Sequence, residues 1–275
     1  MRPLSEQTIM ITGATDGLGR ALAHQLAGAG ATLLLHGRDE QRGAETLAEI
    51  RDATGNERLR WLCADLASLE EVRRLAAETL EQAERLDVLV NNAGIGTSVP
   101  GGGERMESRD GHELRFAVNY LSGYLLTRLL LELLRASAPA RIVNVSSAGQ
   151  APIDFDDVML ERRYSGVQAY CQSKLAQIMF TIDLAEELDG RGVSATCLHP
   201  ATFMPTKMVL EGGIAPASTL EQGVEATLRL IADERLEGVS GVYFNGLREA
   251  QPDHQALDPD ARRRLRELSD RLCRL

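Results

Sequence analysis

The residues best suited to chemistry are Tyr170 and Lys174, four positions apart in a stretch that continues into the apolar run 175–180. Two side chains at this spacing lie on the same face of a helix. An ammonium group close to a phenol stabilises the phenolate, which makes a tyrosine effective as an acid or base near neutral pH. The pair alone is a weak indication, because the same spacing occurs on ordinary helix surfaces. The surrounding elements must therefore supply a substrate, a cofactor and a hydroxyl partner.

Composition and charge exclude several classes of protein. The chain has 275 residues, 44% hydrophobic and 25% charged, which is an ordinary globular composition of ample length for one large α/β domain. A net charge of −10 argues against general affinity for nucleic acid or anionic membranes. The cysteines at 63, 171, 197 and 273 lack the spacing of a metal clip or redox pair and predict free thiols. We find no signal peptide or membrane-spanning run, and we predict a cytoplasmic protein.

A glycine-rich turn follows the first predicted strand, residues 8–12, and precedes a helix predicted over 20–27. In this context Gly13 allows a tight turn, and Gly17 lets the backbone approach a pyrophosphate. Gly19 lets the helix and strand pack closely. The spacing is GxxxGxG rather than the commoner GxGxxG, and the alternative is a simple tight turn. We favour dinucleotide binding because a helix N-terminus supplies free N–H groups and the positive end of the helix dipole.

The second predicted strand, 32–36, bears on the choice of dinucleotide. Arg38 follows it, and an arginine there can pair with a 2′-phosphate and stack on adenine, which predicts NADP(H) with NAD(H) as the alternative. We interpret Asp39 as the N-cap of a helix over 40–52. Asp16, inside the glycine loop, does not help to bind a second phosphate and weakens the preference.

Candidate ligand-binding residues, several of them polar, also follow the later predicted strands, over 58–63, 87–91, 141–147 and 192–198, where ligands bind in open α/β sheets. These residues are Asp65 and Leu66; Asn92, Ala93 and Gly94; Ser146 and Ser147; and His199, Pro200 and Thr202. Asp65 is interpreted either as an acceptor for an adenine amino group or as a helix cap, although Ser68 could cap that helix without it. Few histidines are present and none has metal-ligand spacing, so no metal is expected.

Asn119 lies inside a helix predicted over 112–134, where an amide is a local misfit. It is either a satisfied amide or the mark of a kinked helix that binds water. The remaining predicted elements are a helix over 219–232, a strand over 241–245 and an arginine-rich terminal helix over 259–275 with a solvated charged face.

Strands and helices alternate along the whole chain, which predicts a doubly wound parallel α/β sheet in a single domain, 1–275. The cofactor half would span about 1–149, and the catalytic and substrate half 150–275. The motifs, in their order and placement, resemble those of the short-chain dehydrogenase/reductase family over about residues 8–246, which implies a Rossmann-type fold. The stretch 169–177, Leu198-His-Pro200 and the long insert before Tyr170 resemble the retinol-dehydrogenase-like branch.

The resemblance implies a role for each motif residue. Tyr170 would be the general acid in reduction and the base in oxidation, and Lys174 would lower its pKa and bind the nicotinamide ribose. Ser147 would hydrogen-bond the substrate oxygen, and Asn119 would hold a water that links Lys174 to solvent. Thr202 and Thr206 are both candidates for the threonine beside the nicotinamide. The expected cofactor contacts are Gly13, Thr15, Asp16, Gly17, Leu18, Gly19, Arg38, Asp65, Leu66, Asn92, Ala93, Gly94, Tyr170, Lys174, Pro200, Thr202 and Thr206.

These observations predict an NADP(H)-preferring oxidoreductase that interconverts a secondary alcohol and a ketone, or an alcohol and an aldehyde, on a hydrophobic small molecule. Hydride transfer to a carbonyl builds negative charge on oxygen, and Ser147 and Tyr170 would stabilise it. The substrate pocket is expected from residues 97–104, 150–167 and 203–217, the last of which is rich in apolar side chains.

Three alternatives are an NAD-dependent dehydrogenase of the same fold, a non-catalytic dinucleotide-binding regulatory protein, and other chemistry at the same site such as epimerisation, dehydration or dechlorination. The resemblance also implies a homodimer or homotetramer, assembled through the helices that bear Asn119 and Tyr170. The apolar faces over 121–134 and 178–188 permit that assembly.

Overall fold

A computed structural model describes residues 1–97 and 104–275. The strands of this part of the chain are β1 (Thr8–Thr12), β2 (Thr32–Gly37), β3 (Leu59–Cys63), β4 (Val88–Asn91), β5 (Ala140–Val145), β6 (Val193–His199), β7 (Tyr243–Asn245) and β8 (Arg248–Glu249). They form one sheet in the order β3-β2-β1-β4-β5-β6-β7-β8. Neighbouring strands are parallel except for the antiparallel pair β7 and β8.

Helices connect the strands and cover both faces of the sheet. They are α1 (Gly17–Gly28), α2 (Glu40–Thr54), α3 (Leu69–Gln82), α4 (Ser122–Ala136), α5 (Gly166–Glu187), α6 (Lys207–Glu211), α7 (Leu220–Ala232), α8 (His254–Leu257) and α9 (Pro259–Cys273). A π-helical turn, Phe116–Leu121, leads directly into α4. Short 3₁₀ turns occur at Leu4–Glu6 and Glu234–Leu236.

The strand order creates the crevice in which a ligand would lie. The chain moves outward from β1 through β2 to β3 and then returns to β4 on the other side of β1. The carboxyl ends of β1 and β4 therefore flank a topological switch point, which is where open α/β sheets bind ligands.

The core lies on both faces of the sheet, because successive side chains of a strand point to opposite sides. Ile9 and Ile11 of β1 pack in one apolar cluster with Leu22 of α1, whereas Met10 packs in a second cluster with α3, α4 and α5. Strands buried on both faces read as continuous apolar runs, as β1 does. The predicted doubly wound parallel sheet is confirmed.

Several element boundaries differ from the predictions. The helix predicted over 20–27 begins earlier, at Gly17, because Asp16 caps it by accepting a hydrogen bond from the Gly17 N–H at 2.6 Å. The loop predicted over 203–217 contains the short helix α6, and β8 and α8 were not predicted. Asp39 and Ser68 cap α2 and α3 as expected.

The terminal helix departs at one arginine from the solvated charged face that was expected. Leu265, Ser269 and Cys273 lie on the buried side of α9, and Arg262 is also buried. The Arg262 guanidinium donates to the Ala256 carbonyl at 3.1 Å and to the Glu186 carboxylate at 2.5 Å. This arginine is therefore used to join α9 to α8 and α5.

The same packing covers part of the faces that the sequence offered for assembly. The hydroxyl of Tyr120 lies 2.7 Å from Ser269 Oγ, and that of Tyr124 donates to Asp270 at 2.6 Å. The leucines at 121, 125, 130, 134 and 184 are all buried within the single chain. Among the helices of the described residues, none is long and apolar enough to cross a membrane.

Candidate active site

Ser147 and Tyr170 lie side by side just beyond the carboxyl end of β5. Ser147 is the second residue after this strand, and Tyr170 is near the start of α5, whose N-cap is Ser165. A Cβ atom added at Gly149 would lie 3.6 Å from Ser147 Oγ and 3.8 Å from the Tyr170 ring. The neighbouring Ser146 instead donates its hydroxyl to the Lys174 carbonyl at 2.8 Å and so fastens α5 to the strand end. Of the two serines, the second is therefore the one beside the phenol.

Burial is the largest influence on the Tyr170 phenol and raises its pKa, whereas the neighbouring Ser147 hydroxyl lowers the pKa and opposes that effect. Lys174 was expected to lower the pKa of Tyr170, and in this structure it is not among the groups that shift that pKa. The Lys174 ammonium lies 5.8 Å from the centre of the tyrosine ring and is engaged elsewhere. The net pKa shift of Tyr170 is upward, so the phenol is a neutral proton donor at neutral pH.

Lys174 is buried, and burial lowers its pKa from 10.5 to about 7. Its ammonium donates to the Val145 carbonyl and to Gln177 Oε1, both at 2.9 Å. Sequence reasoning missed Gln177, although its position three residues after Lys174 on the same helix could have indicated it.

His199, at the end of β6, lies close enough to Lys174 to respond to its charge. Burial lowers the pKa of His199, and the charge of Lys174 lowers it further. Its Nε2 atom lies 3.0 Å from Thr202 Oγ1. These contacts are typical of a neutral histidine that has a structural or pocket-lining role.

Asn119 belongs to the π-helical turn, which accounts for the local misfit that the sequence predicted there. Its Nδ2 atom donates to Ser173 Oγ at 2.9 Å and to the Ile95 carbonyl at 3.1 Å. Its Oδ1 atom accepts from the Ile95 N–H at 2.8 Å. The amide therefore fixes the loop after β4 against α5, and its expected role in holding a water stays a prediction.

The glycine loop after β1 is fastened to the end of β4. Asn92 Nδ2 donates to the carbonyls of Thr12 and Gly13 at 2.8 and 3.1 Å. The N–H groups of Asn92 and Ala93 both donate to Thr12 Oγ1 at 3.0 Å. Gly13 has a φ of 71°, a left-handed conformation that favours glycine. The two loops thus form one rigid floor at the switch point.

Glycines keep this floor free of side chains. A Cβ at Gly19 would clash with the Gly13 carbonyl, and a Cβ at Gly94 would lie 3.3 Å from Asn119 Oδ1 and 3.5 Å from Lys174 Nζ. The result is a bare cradle that runs from the N-terminus of α1 to the Lys174 ammonium. Free helix N–H groups at one end and an ammonium at the other fit a dinucleotide.

Arg42 is a second basic group at the cradle that sequence reasoning missed. Its guanidinium donates to the Thr15 carbonyl at 3.2 Å and to Asp16 Oδ2 at 3.4 Å. The exposed Arg38 lies one helical turn earlier in the sequence, directly after β2. The spacing of four residues between two arginines at a helix start could have indicated the pair. Asp16, which was expected to contact the cofactor but to weaken the preference for a second phosphate, is also the partner of Arg42.

The other predicted cofactor contacts lie partly beside the glycine loop and partly against other protein groups. Asp65 Oδ1 accepts from the Ala67 N–H at 3.0 Å, and Ser68 caps α3 instead. Thr206 lies against the glycine loop, because a Cβ at Gly17 would lie 3.2 Å from its Cβ, whereas Thr202 pairs with His199. Leu18 and Leu66 are buried and apolar, and Pro200 directly follows β6. Of the expected pocket segment 97–104, residues 98–103 lie outside the described residues.

Three further side chains near the site were not indicated by the sequence. Arg115 donates to the carbonyls of the loop after β4 and to the hydroxyl of Tyr164, and Tyr243 donates to the Ser147 carbonyl. Their partners lie far away in the chain, so no local spacing marks them. Among the described residues, no group of three or more His, Cys, Asp or Glu side chains is placed to hold a metal ion.

Comparison of the sequence with known proteins identifies the family of this chain. The family described as short chain dehydrogenase matches residues 7–212. Human retinol dehydrogenase 13 is 38% identical, over 98% of this chain and 85% of its own length. Human retinol dehydrogenase 14 is 36% identical, over 96% of this chain and 85% of its own length.

Solved structures with a similar fold support the same family. An uncharacterized protein from Mycobacterium paratuberculosis superposes with a TM-score of 0.79 at 28% identity, covering 98% of this chain and 94% of its own. The Pseudomonas aeruginosa RhlG/NADP active-site complex superposes with a TM-score of 0.71 at 27% identity, covering 89% of this chain and 97% of its own. The chain therefore belongs to the short-chain dehydrogenase/reductase family, is similar to its retinol dehydrogenases, and is an NAD(P)-dependent oxidoreductase acting on CH–OH groups.

Proposed function

We propose that the protein is an NADP(H)-preferring oxidoreductase that interconverts a secondary alcohol and a ketone, or an alcohol and an aldehyde, on a hydrophobic small molecule. The observation that carries the proposal is the placement of Ser147 beside Tyr170, next to a cradle that ends at the buried Lys174. The bound dinucleotide supplies or accepts the hydride.

The side chains of this chain handle the proton and the oxygen. Burial keeps the Tyr170 phenol protonated, so in reduction it delivers its proton to the carbonyl oxygen as negative charge develops there. Ser147 donates a hydrogen bond to the same oxygen. In oxidation the direction reverses, and Tyr170 accepts the alcohol proton. Lys174 offers N–H donors to the ribose hydroxyls in place of its present partners, Val145 and Gln177.

The preference for NADP(H) rests on Arg38 and Arg42, which supply positive charge at the edge of the glycine loop. The structural neighbour RhlG, whose complex contains NADP, lends support. Asp16 opposes the preference, but Arg42 neutralises part of its charge.

A fluorescence titration with NADPH and NADH tests the cofactor preference. NADPH is expected to bind more tightly than NADH to the parent protein. The variants Arg38→Ala and Arg42→Ala are each expected to lose about tenfold in NADPH affinity and little in NADH affinity, since a hydrogen bond to a charged group contributes about 1.5–3 kcal/mol. Arg51→Ala, toward the far end of α2, is the matched control. Tighter binding of NADH by the parent contradicts the preference.

Exposed apolar side chains in the segment 203–217, which contains α6, support a hydrophobic substrate. Phe203, Met208 and Ile214 are exposed by 46%, 40% and 36% although they are apolar. Met208 also reaches the cradle, because a Cβ at Gly96 would lie 3.1 Å from its sulfur. Retinol dehydrogenases are similar proteins, so retinol and retinal belong in the substrate panel.

Tyr170→Phe tests the mechanism. The parent and the variant are assayed with NADPH against a panel of hydrophobic ketones and aldehydes, retinal among them. The variant is expected to lose about 10²–10⁴-fold in turnover and to keep its cofactor affinity, because only the proton donor is removed. Parent-like turnover in the variant contradicts the mechanism. Cofactor binding without turnover of any substrate in the parent favours a regulatory dinucleotide-binding protein instead.

A further inference from the structure

We propose that Arg115, together with Glu113 and Tyr164, is a positioning group that holds the loop after β4 against the start of α5. In doing so it sets the distance between the cofactor cradle and Tyr170. The inference rests on the proposed function of Tyr170, and it assigns a role to three residues that take no part in the chemistry.

Arg115 connects three separate segments. Its Nε atom donates to the Gly96 carbonyl at 2.9 Å, and its Nη2 atom donates to the Thr97 carbonyl at 2.7 Å. Its Nη1 atom donates to the hydroxyl of Tyr164, two residues before α5. The planar guanidinium thereby fixes the directions of all three contacts at once.

Glu113 completes the network by contacting Tyr164, Arg115 and the backbone of Phe116. Its Oε1 atom accepts from the Tyr164 hydroxyl at 3.2 Å, and its Oε2 atom accepts from the Phe116 N–H at 2.7 Å. Its carboxylate lies 3.6 Å from the Arg115 guanidinium. The network therefore begins at the π-helical turn that carries Asn119.

Burial makes this ion pair unusual within the described part of the chain. The side chains of Arg115 and Glu113 are each 0% exposed. Removing two charges from water is unfavourable, and apolar residues of similar volume often stabilise a core equally well. A buried pair in which each of the three guanidinium nitrogens donates a hydrogen bond is better explained by the fixed geometry that it imposes than by stability.

The place where the loop meets the helix is tightly packed. A Cβ at Gly166, the first residue of α5, would lie 2.9 Å from the Thr97 carbonyl and 3.2 Å from Arg115 Nη2. Tyr170 is about one helical turn further along α5. On the loop side, Asn119 holds Ile95, and Gly94 faces Lys174. The cradle and the catalytic helix are thus joined through Arg115.

Small displacements between these parts affect rate strongly. A shift of about 1 Å can reduce a reaction about 10²-fold when reacting groups must meet in one geometry. Loss of the network of Arg115, Glu113 and Tyr164 is therefore expected to lower kcat and to leave the affinity for NADPH near that of the parent. Among the described residues, the hydrogen bonds of Arg115 go to the loop after β4 and to Tyr164, and the glycine loop and α1 receive none of them.

Two variants test the inference. Tyr164→Phe removes one hydroxyl, and Arg115→Lys keeps the charge but loses the planar fork. Each is expected to lower kcat about tenfold or more, with NADPH affinity changed by less than about threefold. Hydrogen exchange of the amides at 92–97 and at the start of α5 is expected to become faster in both variants.

Arg141→Lys is the matched control. Arg141 is also buried and donates to two main-chain carbonyls, those of Leu230 and Asp233 at 3.0 and 2.9 Å, but these lie at the end of α7. This variant is expected to lower the melting temperature as Arg115→Lys does and to keep kcat and the exchange of 92–97 unchanged.

The inference is overturned if Tyr164→Phe and Arg115→Lys keep parent kcat and parent exchange, or if Arg141→Lys loses kcat to the same extent. Tyr170→Phe, assayed in parallel, separates this failure from failure of the proposed function. An active Tyr170→Phe variant contradicts the proposed function. An inactive Tyr170→Phe variant, together with parent-like Tyr164→Phe and Arg115→Lys variants, contradicts the positioning role alone.

Discussion

At the scale of single residues, Lys174 is the group of the site whose burial is least favourable for folding. Its ammonium is buried and held by neutral oxygens of Val145 and Gln177, and burial lowers its pKa to about 7. The ribose hydroxyls of a dinucleotide would add acceptors for the same ammonium. A group that is unfavourable for folding is thus placed where a ligand could use it.

Replacing Lys174 by methionine is expected to stabilise the protein in a pH-dependent way. The folded pKa of about 7 lies below the unfolded value of 10.5, so the unfolded state binds more protons between these pH values and parent stability rises across that window. Below pH 7 both states are charged, and the folded state carries the full cost of burial. Lys174→Met should therefore gain most below pH 7, at most about 5 kcal/mol, and progressively less toward pH 10.

Urea unfolding of the parent and Lys174→Met at several pH values measures this difference. Lys207→Met is the control, because Lys207 is 58% exposed and its replacement should have a small effect that varies little between pH 7 and 10. A stability difference between Lys174→Met and the parent that does not change over the same range contradicts the assigned pKa.

At the scale of elements, the far end of the chain holds the loop that carries Ser147. The hydroxyl of Tyr243 on β7 donates to the Ser147 carbonyl at 3.1 Å. Further along the loop, Gln255 of α8 exchanges two hydrogen bonds with the backbone of Ile153, at 2.7 and 3.0 Å. Ser147 is therefore held in place by elements that follow it by about a third of the chain.

Tyr243→Phe is expected to lower kcat about three- to tenfold and the free energy of unfolding by about 1 kcal/mol, because the Ser147 carbonyl loses a buried donor and its loop relaxes. Steady-state kinetics and urea unfolding measure the two effects. Tyr124→Phe, which removes the hydroxyl that donates to Asp270 of α9, should lose similar stability and no activity. Equal kcat values for both variants would contradict a positioning role for Tyr243.

The sequence predicted those features that depend on local pattern. Strands β1 to β7, the caps Asp39 and Ser68, and the residues at strand ends follow from apolar runs and turn chemistry. The short elements β8 and α8 were missed because two to four residues carry no periodicity. Contacts such as Arg115 with Tyr164 were missed because they join segments 49 residues apart, and only the folded topology brings them together.

At the scale of the whole molecule, α9 changes the expected assembly. A homodimer or homotetramer was predicted through the faces over 121–134 and 178–188. In the structure α9 lies against that region, with Leu265 buried and Arg266 paired with both oxygens of Asp183 at 2.9 Å. The chain thus covers with its own last helix a surface that a partner would need, and we expect the parent to be a monomer.

Leu265→Asp is expected to free α9 and to convert the monomer into a self-associating species, because a buried carboxylate without a partner is strongly unfavourable and the apolar faces of α4 and α5 become exposed. Sedimentation velocity at several protein concentrations measures the state of the parent and of the variant. Leu257→Asp is the control, since Leu257 is 47% exposed and its replacement should leave a monomer. A parent that sediments as a stable dimer, with the α9 amides exchanging as fast as those of a free helix, would show that α9 leaves this surface and a second chain takes its place.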